Sequence, residues 1–327
     1  MLKIFLMTKN EPDLLESWIN YHGYIFGLDN IYILDGSDDS RVLRVYEKFQ
    51  PLGLTVRSSS AGLNELAGEL TEMMHLFKGK DNFLIKMDTD EFLAYTPDPA
   101  SIIEHERPHA AICKSSYRKL KNWLLSAGAL ARPTKNKLQI TNFTDFFESL
   151  PVTGQSYKAS FTCWSKPMSQ SVKDICEEIT IFSPLHMTDF KSFFHSSSFV
   201  SVDLGCHAGV STNNSGVIQT GLCIIHFHST SVEDSARRAR QVLLSHGYIS
   251  EHDSSKELAL KLQRIRLSGE IASFHKIDFY LQYLDATEKG EKLNPDTLNQ
   301  YHPYFKRTGP NSTLKLVRDT LRFIRSR

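Results

Sequence analysis

The sequence predicts an α/β protein: a Rossmann-like parallel sheet covered by helices on both faces, then a mixed α+β part, then C-terminal helices. Two observations carry this. Strand and helix signals alternate with short connections through "NFLIKMDTDEFLAY" at 82–95, the order that builds a parallel sheet. Three polar clusters also fall directly after predicted strands, Thr8 to Glu11, Asp35 to Asp39 and Asp88 to Glu91, at the edge where such sheets bind ligands.

Each element has its own signal. "LKIFLMT" reads as a compact strand, and Asn10 before Glu11 and Pro12 reads as a helix cap. Leu14, Leu15, Trp18, Ile19, His22, Ile25 and Phe26 then recur at helical spacing up to Gly27, a C-terminal stop. A strand "NIYILD", a turn "GSDDS", a short helix over Leu43 to Phe49, a strand "LTVRS" and a helix over 63–78 lead into the strand at 83. Strand-like pieces "YKASFTCW" and "EITIF" sit among Ser-rich and Pro-containing loops in 115–200. A strand "GLCIIHFH" at 221–228 precedes a helix over Val232 to His246 with Arg237, Arg238 and Arg240 on one side. No internal repeat or low-complexity tract is visible.

Bulk properties exclude several classes. The 327 residues are 41% hydrophobic and 23% charged, as in an ordinary soluble protein, and a net charge of +1 argues against a nucleic-acid partner. "MLKIFLM" is too short for a secretory apolar core, and no apolar run nears the roughly 18 residues that span a bilayer. Five scattered cysteines without a CxxC pair indicate reduced thiols, hence a cytoplasmic setting.

Asp88, Asp90 and Glu91 crowd the end of the apolar run Phe83, Leu84, Ile85. Carboxylates so placed repel one another and resist desolvation, so a positive partner is expected. An Asp-x-Asp pair offers hard oxygen ligands to Mn²⁺ or Mg²⁺, ions that share their coordination with phosphate oxygens. A solvated acidic loop is the plainer alternative.

In "TKNEPDLLESWINYHGYIFGLDNIYILDGSDDS" at 8–40 and "KMDTDEFL" at 86–93, the chain resembles glycosyltransferases of the GT-A fold, especially the family 2 and family 92-like branch. The clear resemblance covers about a third of the chain, with a weaker echo in "KSFFHSSSFVSVDLGCHAGVS" and "LCIIHFHSTSVED". It implies a metal-dependent hexosyl- or deoxyhexosyltransferase using a nucleoside-diphosphate sugar of UDP or GDP type and a glycan, glycolipid or protein-linked acceptor, as in polysaccharide biosynthesis. Carried over residue by residue, it makes Asp88 and Asp90 the metal-holding pair, with His226 completing the site. Thr8, Asn10, Glu11, Asp35 and Asp38 would line the nucleotide, and Lys191 or Arg237 would offset diphosphate charge. An inverting reaction needs a carboxylate base, for which Asp203 is the candidate, with Glu148, Glu178 and Asp189 as alternatives.

Competing readings stay open. Asn10 can be only a cap, Asp38 only a turn residue, and Trp18 and His22 only a packed helix face. Cys206, His207, Cys223, His226 and His228 could hold zinc, although their spacing lacks the usual ligand pairing. A nucleotidyltransferase-like enzyme is an alternative, but "TKNEPD" has no glycine for its phosphate loop; a non-catalytic carbohydrate-binding protein is another. The expected domains are a catalytic 1–248, with nucleotide half 1–115 and acceptor half 116–248, and a helical 249–327. The last segment, "LKLVRDTLRFIRSR", has five basic residues against one acidic, a candidate for peripheral contact with an anionic membrane face through Leu314, Leu316, Val317, Leu321 and Ile324.

Overall fold

A computed structural model describes residues 1–97, 99, 138–165, 185–203, 205–227, 231–245, 247–268, 274–293 and 319–323. Contacts group the chain into two units, Met1–Cys163 with Pro184–His226 and Pro310–Arg327, and Trp164–Ser183 with Phe227–Gly309.

In the first unit, β1 (Leu2–Thr8), α1 (Pro12–Phe26), β2 (Ile31–Asp35), α2 (Ser40–Phe49), β3 (Thr55–Ser58), α3 (Leu63–His75) and β4 (Phe83–Met87) follow in the expected alternation. Then come β5 (Glu91–Tyr95), α4 (Phe143–Glu148), β6 (Ser156–Trp164), β7 (His186–His195), β8 (Phe199–Val202), β9 (Gly209–Ser211) and β10 (Val217–His226). Among the described residues the main sheet runs β3-β2-β1-β4-β7-β6-β10-β5, with β8 and β9 forming a separate hairpin.

The strands β3, β2, β1 and β4 pair in parallel; β7 pairs antiparallel with β4, as do β6 with β7 and β5 with β10. Thr8 stands opposite Asp35 and Leu6 opposite Met87, so β1, β2 and β4 end together. The reason is local: Ile4, Phe5, Leu6, Ile33, Leu34, Leu84 and Ile85 are all buried, and the first polar residues after them must emerge at the same edge.

β5 is an edge strand, and its outward backbone groups are covered. The Leu93 carbonyl accepts the Tyr21 hydroxyl at 2.8 Å and the Leu93 amide donates to His22 Nε2 at 3.3 Å, both side chains from α1. Two residues on, Tyr95 exchanges amide and carbonyl bonds with Gln139. Sealing an edge in this way removes a template for aggregation. Gly221 allows β10 its approach, since a Cβ there would lie 2.4 Å from the Thr96 carbonyl oxygen.

The second unit holds α5 (Val232–Ser245), α6 (Ser255–Ser268) and α7 (Phe274–Glu288), packed through Ala236, Ala239, Leu243, Leu258, Leu262 and Ile277. Among the described residues no helix is long and apolar enough to cross a membrane.

Candidate active site

Between β4 and β5 lies a four-residue turn, Asp88 to Glu91, closed by the Glu91 amide on the Asp88 carbonyl at 3.1 Å. Aspartate is favoured in the first position of such a turn. The Glu91 side chain closes it a second time, Oε2 accepting the Asp88 amide at 2.8 Å. Because both flanking strands are buried, the carboxylates are confined to this link.

The positive charge they call for is the protein's own. Lys86, two residues back on β4 and so on the same face as Asp88, donates to Asp88 Oδ1. Lys191, from β7, donates to Asp88 Oδ2 at 2.6 Å and to the Gly205 carbonyl at 2.9 Å, and its ammonium lies 3.3 Å from Glu91 Oε1. The Lys86 and Lys191 side chains are 2% and 0% exposed, Glu91 0%, and Asp88 40%. Burial pushes the Asp88 carboxyl up, but Lys191 and Lys86 outweigh it and hold the group well below the usual carboxylate range. Lys191 shows the converse, its pKa raised against burial by Asp88 and Glu91. Burial raises Glu91, the most enclosed carboxyl of the turn.

On the other side of the turn Asp90 meets His226, with Oδ1 to Nε2 at 3.3 Å, both largely buried. The register that sets His226 opposite Glu91 brings the end of β10 to the turn. Burial disfavours charge on His226, yet Asp90 above all, with Glu91 and Asp88, raises its pKa.

The nucleotide candidates lie at the ends of β1 and β2. Thr8 and Thr89 both donate to Glu11 Oε2, tying the start of α1 to the Asp88–Glu91 turn. Asn10 is not the cap of α1; Glu11 occupies that position, its side chain making no capping hydrogen bond to the helix. Asn10 sits at φ 53°, a left-handed conformation asparagine tolerates. Its Oδ1 accepts the amides of Asp38 and Asp39 at 3.0 Å each, its Nδ2 donates to Asp38 Oδ1, and its own amide donates to Ser37 Oγ. Asp39 instead caps α2. Asp35 is buried and accepts from Ser37 N, Ser37 Oγ and the Tyr46 hydroxyl, whereas Asp38 is exposed.

Other candidates are placed differently from the sequence expectation. Lys191 is enclosed and turned onto Asp88, Glu91 and Gly205, not toward solvent, because three acceptors converge on it. Arg237 is on α5 in the second unit, paired with Asp234. Asp203, exposed between β8 and β9, accepts the Ala208 amide at 3.1 Å. Glu148 ends α4 at the surface; Glu178 and His228 lie outside the described residues, and of Asp189 only the β7 backbone is described. Cys206 and Cys223 are buried thiols directed at the carbonyls of Ser192 and Gly221, so the zinc alternative finds no cluster among the described residues.

A divalent cation fits this turn in part. No group of three or more His, Cys, Asp or Glu among the described residues is placed to hold a metal, and both Asp88 oxygens already accept from ammonium groups. Asp90 and His226 present one carboxylate and one imidazole side by side, a pair suited to Mn²⁺. Two protein ligands, with the rest from phosphate and water, is the usual pattern for such ions. Sequence reasoning missed Lys86, although a lysine inside "FLIKM" was itself the signal: in an apolar strand an ammonium requires a buried acceptor.

No described protein family matches the chain, and no curated protein does, so the family resemblance rests on the quoted motifs. Among solved structures, TarS of S. aureus, residues 1–349, is similar at a TM-score of 0.32 and 10% identity over 99% of this chain and 91% of that one. The same protein in complex with UDP gives a TM-score of 0.29 at 10% identity, over 99% and 87%. A Bacillus anthracis protein assigned as a glucose-1-phosphate thymidylyltransferase, in complex with a sucrose, gives 0.25 at 11% identity, over 60% and 72%. At such TM-scores none of these likenesses bears on function.

Proposed function

We propose that the chain is a glycosyltransferase that takes its sugar from a UDP- or GDP-type donor and passes it to a glycan, glycolipid or protein-linked acceptor. The observation that carries this reading is the meeting, at the common end of β1, β2 and β4, of the Asn10–Asp38 bracket, Glu11 and the Asp88–Glu91 turn. The motif resemblance supports it. Asp38, the exposed carboxylate of the bracket, would accept from the nucleoside, while Asp35 holds the loop from beneath. Mn²⁺ or Mg²⁺ held by Asp90 and His226 would supply positive charge to the departing diphosphate. For an inverting reaction Asp203 would take the acceptor proton, held in its turn by the Ala208 amide.

The test is a thermal-shift screen against nucleoside diphosphates and nucleotide sugars, each with and without Mn²⁺ or Mg²⁺, followed by product analysis. A rise in Tm with one nucleotide is expected by mass action, and release of nucleoside diphosphate with sugar transfer should follow. Release of pyrophosphate would instead mark a nucleotidyltransferase, and binding without turnover a non-catalytic protein.

A further inference from the structure

Within the Asp-x-Asp pair the two carboxylates are in opposite situations. Asp88 has an ammonium on each oxygen, from Lys86 and from Lys191; Asp90 has an imidazole at 3.3 Å. The Lys191 ammonium also holds the Gly205 carbonyl at 2.9 Å, so one buried cation joins the turn to the segment between β8 and β9. That segment is fixed at two further consecutive carbonyls: Cys206 accepts the Ser192 amide at 2.8 Å, and His207 accepts from Ser192 Oγ and from Lys158.

We infer that Asp88 is a positioning residue and not a metal ligand. Lys86 and Lys191 act as its permanent counter-cations, and through Lys191 it sets the turn that carries Asp90 against the Asp203–Ala208 segment. Its role in catalysis rests on the glycosyltransferase reading, but its charge balance stands without it. Both Asp88 oxygens already accept from a buried ammonium group, and a divalent cation bound there would sit against two fixed positive charges on a carboxylate that they already neutralise.

The two roles predict opposite signs in the absence of metal. A ligand carboxylate in a metal-free cluster is repelled by Asp90 and Glu91, so neutralising it raises stability. A carboxylate that neutralises two buried lysines is missed when its charge goes. Asp88→Asn keeps the shape, and in EDTA its Tm is expected to fall by about 3–6 °C. Adding Lys86→Met, which removes one of the two ammonium groups, is expected to recover at least about half of that loss. The same full-length proteins are then titrated with Mn²⁺ in the presence of UDP or GDP and read by electron paramagnetic resonance. Asp88→Asn should stay within about threefold of wild type and Asp90→Asn should weaken at least about tenfold.

An unchanged or raised Tm for Asp88→Asn overturns the inference. So does absence of recovery in the double variant, or a loss of Mn²⁺ affinity equal to that of Asp90→Asn. A wild type that binds no nucleotide defeats the glycosyltransferase reading instead, and the EDTA measurements still decide the role of Asp88.

Discussion

At the scale of single residues, the site is held by side chains whose bonds run inward. Asn10 fixes the segment 36–39 through both functions of its amide while standing in a left-handed conformation. Asn10→Gly keeps the backbone fit and loses the three side-chain bonds; Asn10→Ala loses both. In urea denaturation Asn10→Ala should cost about 1 kcal/mol more than Asn10→Gly, the strain of a Cβ in that region; equal losses would show that the conformation contributes nothing. Lys191 poses the matching question for charge. Lys191→Met leaves Glu91 buried beside Asp88 with one cation removed, a loss expected at about 3 kcal/mol. The double variant with Glu91→Gln should be more stable than the sum of the single losses. Strict additivity of the two would remove the coupling inferred from the 3.3 Å approach of Lys191 to Glu91.

At the scale of elements, α1 is the piece whose sequence says most. Pro12 opens it, and Leu14, Leu15, Trp18, Ile19 and His22 of the face that helical spacing picks out are buried along it, as is Tyr21, whereas Ile25 and Phe26 are only half-buried. His22 does more than pack. Its Nδ1 donates to the Trp18 carbonyl at 3.0 Å and its Nε2 accepts the Leu93 amide, an arrangement open only to the neutral ring. Burial lowers its pKa from 6.5 to about 3. The unfolded chain therefore binds a proton that the folded one refuses between those values, and stability present above pH 6.5 is lost as pH falls toward 3. The slope is at most about 1.4 kcal/mol per pH unit. His22→Gln should be less stable than wild type at pH 7, and the two stability curves should converge between pH 6.5 and 3. Parallel curves from urea unfolding over that range would sink the assignment. The partner of α1 was beyond local reading, because Leu93 is some seventy residues away and nothing in "DEFLAY" marks an edge strand. The link Asp88 to Glu91 was visible as a polar break after an apolar run. That β5 leaves it to join β10 was not, since sheet order depends on pairings between distant segments.

At the scale of the whole molecule, the alternation from β1 to β4 was legible because each element carries its own period and the connections are short. The strands β6, β7 and β10 come from the other half of the unit's sequence, and Lys191 could be read as a charge but not as Asp88's buried partner. The last described residues, 319–323, illustrate the same limit. As sequence, "LKLVRDTLRFIRSR" offers an amphipathic basic segment for a membrane surface. In the structure Leu321 is buried and Phe323 lies edge-on to Tyr24 of α1, with ring centroids 5.7 Å apart. Leu321, packed against the protein, is not available to lipid, whereas Phe323 stays 41% exposed; burying one leucine is worth about 1.5–3 kcal/mol. Leu321→Ala changes no charge, so it separates packing from electrostatic attraction. It should lower unfolding free energy by about 2–4 kcal/mol and leave flotation on vesicles of anionic phospholipid unchanged. If the segment instead docks on lipid through this face, Leu321→Ala will reduce flotation while its unfolding curve overlays that of wild type.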